Sequence, residues 1–168
     1  MEPAGKAFGR VIGQIAGDFA GLHPSYDAGS DERLLAGEIT LLAKHTGRPV
    51  NFSRQHFLRF DIRTTPALLM RQGIETDFSM GFASSPGFRA GTSFPFYYYD
   101  LNSERQQNLL FVPFCAMDGA FTVYRKTDAR AALVELLAMA ELIRETGGFF
   151  VSVFHERTFS DRLYKGYG

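Results

Sequence analysis

Short apolar runs alternate with helix-length amphipathic stretches along most of the chain, and this alternation restricts the fold more than any other feature. Residues 7–20 place Phe8, Val11, Ile12, Ile15 and Phe19 on one helical face. Gly9, Gly13 and Gly17, spaced by four, share another side that a close-packed neighbour would explain. A second helix is predicted from Ser30 or Asp31 to His45, with Leu34, Leu35, Ile39, Leu41 and Leu42 inward and Gly47 as its stop. Thr65 and Pro66 read as the N-cap and first residue of a third helix ending at Gly73. A fourth spans roughly 128–145, with Leu133, Leu136, Leu137, Ala140 and Ile143 inward and Gly147-Gly148 beyond it.

The intervening runs read as strands. They are residues 50–53, the alternating segment 74–80, the buried run 109–117 (with Pro113 marking an edge or a bulge), residues 121–124, and FFVSVF at 149–154. In the alternating segment Ile74, Thr76, Phe78 and Met80 oppose Glu75, Asp77 and Ser79, and Asp118-Gly119 is a turn signal. Strands separated by helices require crossover connections, so the expected fold is α/β with mostly parallel strands, as a single domain over residues 1–168.

Composition narrows the partners. Lys plus Arg and Asp plus Glu both number 18, so no basic excess points to nucleic acid. No apolar run approaches a membrane span, and the first 20 residues lack a signal-peptide core, so a cytoplasmic location is expected. Cys115 is the sole cysteine; within LLFVPFCAM it reads as a small buried hydrophobe.

At the centre, DFSMGFASSPGFRAGTSFPF leaves a strand pattern for a loop punctuated by Gly81, Pro86, Gly87 and Gly91. Arg89 sits beside Phe88, ahead of the aromatic run Phe94, Phe96, Tyr97, Tyr98 and Tyr99. Flat apolar faces and a planar donor fork suit a sugar; a surface loop with Arg89 in an ion pair is the alternative. In parallel α/β folds functional residues gather where strands end. His23, Arg54, His56, Arg89 and His155 occupy such positions, whereas His45 belongs to a helix C-terminus, where the dipole accounts for it. Each strand-end residue also has a purely structural reading, as a hydrogen-bonded or ion-paired group.

The order of these elements resembles the polysaccharide deacetylases of carbohydrate esterase family 4, and in particular the group associated with bacterial surface polysaccharides. GLHPSYDA is similar to the second motif of that family, RQHFLRF to the third, DFSMGFASSPGFRAGT to the fourth-motif region and VSVFHE to the last. The resemblance runs from about residue 10 to 161 and implies an incomplete or distorted (β/α) barrel lacking its N-terminal strand. It implies metal-assisted hydrolysis of an N-acetyl amide on a carbohydrate. Zinc is the expected divalent metal. By that resemblance His23 is a metal ligand, with Asp27 or His56 as a second. His155 is the general acid and Arg54 orients a carboxylate. Arg89, Phe88 and Tyr98 contact the sugar.

Two departures accompany the resemblance. The fourth residue after His23 is Asp27 where the motif has a second His, and the paired aspartates of the first motif are not found. Asp18 falls in a helical pattern and is not taken as the base. Two or at most three metal ligands remain, so weak metal affinity is expected. Glu156 or Asp161 is the expected carboxylate partner of His155. The alternatives to a hydrolase are a carbohydrate-binding pseudoenzyme and an incomplete barrel whose open edge is covered by a second copy.

Overall fold

Asp31 begins the best-defined helix because its carboxylate accepts hydrogen bonds from the backbone N–H groups of Arg33 and Leu34, at 2.9 and 3.1 Å. Such a cap stabilises a helix by about 1 kcal/mol. The chain is represented by a computed structural model that describes residues 6–15, 20–160 and 162–167. Its helices are α1 (Lys6–Ile15), α2 (Glu32–Thr46), α3 (Thr65–Arg71) and α4 (Ala129–Thr146). Its strands are β1 (Phe52–Ser53), β2 (Thr76–Asp77), β3 (Phe96–Asp100), β4 (Arg105–Phe111), β5 (Ala116–Met117) and β6 (Ser152–Val153). The rest of the first predicted helix, including Gly17, Asp18 and Phe19, lies outside the described residues, as does Asp161.

The chain divides into two compact units. The first runs to Phe78 and takes in Tyr97–Leu110; the second comprises Ser79–Phe96 and the chain from Phe111 onward. In the first unit the four-stranded sheet has the order β1-β2-β4-β3. β1 and β2 are parallel, with Phe52 opposite Thr76 and Ser53 opposite Asp77, and Leu22 adds a parallel bridge to Ser53. Leu22, Leu35, Val50, Leu69, Ile74 and Leu109 are buried there. β3 and β4 are joined by four residues, too few for a crossover, so they form a hairpin that the sequence pattern did not reveal.

The second unit holds the parallel pair β5–β6, with Ala116 opposite Ser152 and Met117 opposite Val153. Its core is Cys115, Ala116, Phe121, Ala132 and Ile143. Cys115 is buried as expected, its Sγ donating to the Val151 carbonyl at 3.3 Å, and burial pushes the thiol pKa up. Among the described residues the strands form two sheets and no closed barrel, so the fold is mixed α/β with mostly parallel pairing.

Several elements differ locally from their sequence patterns. In α4 the inward face is Ala132, Leu136, Met139 and Ile143, and Leu133 and Leu137 are exposed. With nearly every apolar position of α4 filled, periodicity cannot choose the face; the small Ala132 permits the closest approach. Residues 121–124 belong to a π-helical turn (Ala120–Tyr124), not a strand, with the Thr122 hydroxyl donating to the Asp118 carbonyl at 2.9 Å. Run 109–117 is cut in two around Pro113, which cannot donate to a ladder. In segment 74–80 Asp77 and Ser79 are fully buried, because Asp77 accepts a 2.6 Å hydrogen bond from the Ser53 hydroxyl across the β1–β2 pair. Thr64, not Thr65, is the N-cap residue of α3, and the Thr65 hydroxyl accepts from the Asp61 N–H at 3.0 Å.

Candidate functional site

In each unit a histidine-containing cluster follows the C-terminal ends of parallel strands. In the first unit Leu22 is pinned to β1 by two backbone hydrogen bonds, Leu22 N–H to Phe52 carbonyl at 2.8 Å and Arg54 N–H to Leu22 carbonyl at 2.9 Å. The next residue, His23, therefore emerges beside the segment leaving β1. Buried Pro24 and the bond from Ser25 N–H to Glu38 Oε2, at 2.9 Å, hold the loop that follows.

His23 Nδ1 lies 2.7 Å from the Arg54 carbonyl oxygen. A carbonyl only accepts, so Nδ1 carries the proton and the lone pair of neutral His23 is on Nε2. That Nε2 is 3.1 Å from His56 Nδ1, with the rings 4.8 Å apart. Two imidazole nitrogens on a tetrahedral zinc, each about 2.0–2.1 Å from the metal, are about 3.3 Å apart, so the pair matches two adjacent zinc donors. The carbonyl behind His23 is the kind of outer partner that orients a metal-binding imidazole. Asp27 is not drawn into this pair: it lies in an exposed turn where its carbonyl accepts from the Ser30 N–H at 3.1 Å. Among the described residues no group of three His, Cys, Asp or Glu side chains converges as a metal centre.

Arg54 turns inward from the same segment. Its Nε donates to the Phe78 carbonyl at 3.2 Å, and its guanidinium lies 5.9 Å from the centre of the Phe78 ring. Burial pulls its pKa below the usual guanidinium range, opposed by the negative charge of Asp77. The carboxylate that Arg54 senses is thus Asp77, which the alternating pattern set opposite Ile74, Thr76, Phe78 and Met80.

In the second unit the β5–β6 register sets Asp118, just past Met117, against the residues after Val153. Asp118 is 1% exposed and accepts four hydrogen bonds. Oδ2 receives the His155 N–H at 2.7 Å and the Thr158 hydroxyl. Oδ1 receives the Gly119 N–H at 2.7 Å and lies 2.8 Å from His155 Nδ1. Desolvation raises the Asp118 pKa, but the bonds from Thr158 and His155 outweigh it and leave the carboxyl below its usual value. The ionised carboxylate fixes the His155 proton on Nδ1 and leaves the lone pair on Nε2 of this half-buried side chain. Asp118 is the partner that the sequence reading missed in favour of Glu156 or Asp161. The available signal was an acidic residue directly after an apolar run, masked by the turn reading of Asp118-Gly119.

The predicted sugar contacts are divided between the two units. Phe88 packs against the Cys115–Phe121 core, and Arg89 is exposed on its loop. Tyr98 is buried within β3 in the other unit, with a pKa raised by that burial, while Tyr97 and Tyr99 face solvent. Gly81 is required where it stands, since a Cβ there would run into the buried Phe114 ring.

Comparison with solved structures bears on the fold. A candidate polysaccharide deacetylase from Mycobacterium smegmatis superposes with a TM-score of 0.58 at 19% identity, over 89% of this chain and 53% of that one. The fold is polysaccharide-deacetylase-like. A candidate polysaccharide deacetylase involved in O-antigen biosynthesis from Bordetella bronchiseptica also matches, at a TM-score of 0.43 and 16% identity, over 62% of this chain and 40% of that one. The chain thus spans about half the length, or less, of these two proteins. No protein-family model and no curated protein sequence matches it.

Proposed function

We propose that the chain is a polysaccharide-deacetylase-like hydrolase domain that removes N-acetyl groups from a sugar polymer or its precursor. The observation that carries this reading is the Asp118–His155 pair at the ends of two parallel strands, within a deacetylase-like fold. Amide hydrolysis stalls unless the departing amine is protonated. His155 suits that step because Asp118 holds Nδ1–H and orients Nε2, the nitrogen that gives and regains the proton. Thr158 and the two backbone N–H groups keep Asp118 ionised and fixed, so the ring does not have to reorganise as it becomes charged.

His23 and His56 would hold a divalent metal through two nitrogens, and imidazole donors favour zinc. When bound, zinc lowers the pKa of a water molecule and polarises an amide carbonyl. To present Nδ1 to a metal, neutral His56 would carry its proton on Nε2.

The test is acetate release from N-acetylated oligosaccharides in the presence of zinc. Replacing His155 by Ala is expected to lower turnover by about 10²–10⁴-fold. An unchanged rate would remove His155 from the mechanism. Binding of the oligosaccharide without acetate release by the unaltered protein would instead identify a carbohydrate-binding relative without catalysis.

A further inference from the structure

One face of α4 is buried, and the opposite face is apolar as well. Ala132, Leu136, Met139 and Ile143 pack into the core of the second unit. On the far side Leu133 is 54% exposed, Val134 63%, Leu137 60% and Leu142 53%, with Ala131 and Ala138 exposed among them. A surface helix normally carries polar and charged residues there, and a helix that is apolar all round is covered all round. The apolar surface also continues beyond the helix. Leu133 lines a cleft together with Phe154, whose ring stacks on Phe159 at 5.7 Å, and both rings are exposed. Single exposed apolar side chains are ordinary, but a contiguous group of them marks an interaction surface.

The charges on this face select its occupant. Arg130, Val134, Leu137 and Glu141 follow one another at alternating steps of four and three, the spacing of a seam between two helices. Arg130 and Glu141, of opposite sign, close the two ends of the apolar stretch, about three turns apart. A second α4 laid antiparallel about a twofold axis sets Arg130 against Glu141 of the second copy, and Glu141 against its Arg130. Between these pairs Val134 meets Ala138 of the second copy, and Leu137 meets its Leu133. Arg144, already bonded to its own Glu141, extends each ion pair into a triad. A parallel arrangement would set Arg130 against Arg130, which like-charge repulsion opposes. A lipid surface would call for an excess of Lys and Arg, whereas Glu141 and Glu145 balance Arg130 and Arg144 on this face.

We propose that the outer face of α4 is a homodimer interface, where two copies of this chain pack antiparallel through Val134 and Leu137 between paired Arg130 and Glu141. The seam is one helix wide, with Phe154 and Phe159 along one flank, so association is concentration-dependent rather than obligate. No residue of either histidine cluster lies on the seam, and the interface does not depend on the hydrolase reading.

The test is sedimentation velocity of the full chain over a concentration series reaching the millimolar range, with the helix content of each variant followed by circular dichroism. The unaltered protein is expected to pass from monomer to dimer along the series. Arg130→Glu sets acidic groups against each other at both ends of the seam, and Glu141→Arg does the same with basic groups. Each variant alone is expected to associate about tenfold more weakly or worse. An equimolar mixture of the two is expected to regain the association of the unaltered protein, because in the mixed dimer each Glu meets an Arg. Leu137→Lys, at an exposed position that the monomer does not need, is expected to remain monomeric with full helix content. Undiminished association by Arg130→Glu, or a mixture no more associated than its two components, would overturn the interface. An unaltered protein that stays monomeric throughout would also overturn it and leave the face to a partner of different sequence.

Discussion

Asp118 has no spare capacity, and that makes it the residue at which one atom should matter most. Its two oxygens accept four hydrogen bonds, and each oxygen takes one of them from a backbone N–H, which can only donate. In Asp118→Asn one oxygen becomes an NH₂ that must face a donor, so a buried bond is lost whichever way the amide turns. The same change removes the charge that fixes the His155 proton on Nδ1. Turnover is expected to fall by about 10²-fold or more, as when the carboxylate of a catalytic His pair becomes an amide. The readout separating positioning from packing is the ¹⁵N spectrum of His155. The unaltered protein should show the Nδ1–H tautomer and the variant a mixture. An unmixed tautomer in the variant would mean that Asp118 does not orient the ring.

At the scale of elements, packing against a neighbour decides what a glycine is for, and spacing alone does not report it. Gly9 and Gly13 share one side of α1, yet only Gly9 is crowded: a Cβ there would approach the His45 ring of α2 to 2.7 Å, whereas one at Gly13 meets nothing within 4 Å. Gly81 is crowded by a ring in the second unit, since the segment after β2 is tied to Phe114 by the bond from Phe114 N–H to Met80 carbonyl at 3.1 Å. Gly81→Ala is expected to destabilise the protein by about 1–3 kcal/mol through overpacking. Gly13→Ala should instead stabilise it by up to about 1 kcal/mol. Urea unfolding of both variants checks the pair, and an equal effect would contradict the packing described here. The same distinction explains what could be read from the sequence. α2 and α4 were legible because Asp31, Asp128, Gly47 and Gly147 terminate them by local chemistry, with Gly47 and Gly147 left-handed at φ of 69° and 74°. The strands were less so: among the described residues four of the six are two residues long, too short to show a period, and the residue that β2 buries is the polar Asp77. The candidates His23, His56 and His155 could be found from strand ends, but Asp118 could not, because it meets His155 across 37 residues of sequence.

For the whole molecule, formal charge balances at 18 basic and 18 acidic side chains, so acid removes one half of a neutral arrangement. Hydrogen bonds hold several carboxyls below their usual values in the folded state: Glu32 by Arg71, Asp100 by Ser103, Glu135 by Arg125 and Glu141 by Arg144. Asp61 is brought down to about 2 by Arg63. These groups are exposed or nearly so, and solvent screening makes each pair a small contributor. Asp118 differs in being buried. A carboxyl whose folded pKa is depressed stabilises the fold above its unfolded value, about 3.9–4.3, and that stability is lost as pH falls through the folded pKa. The melting temperature is therefore expected to be insensitive to these groups above about pH 5 and to decline steadily from there toward pH 2. High salt should shallow the decline only slightly if buried Asp118 dominates it, because salt screens surface pairs and leaves a desolvated carboxylate largely untouched. Asp118→Asn, which cannot protonate, should start from a lower melting temperature at pH 6 and lose less of it on acidification. Parallel acid curves for the two proteins would show that the surface pairs, not the carboxylate beneath His155, set the acid limit of the fold.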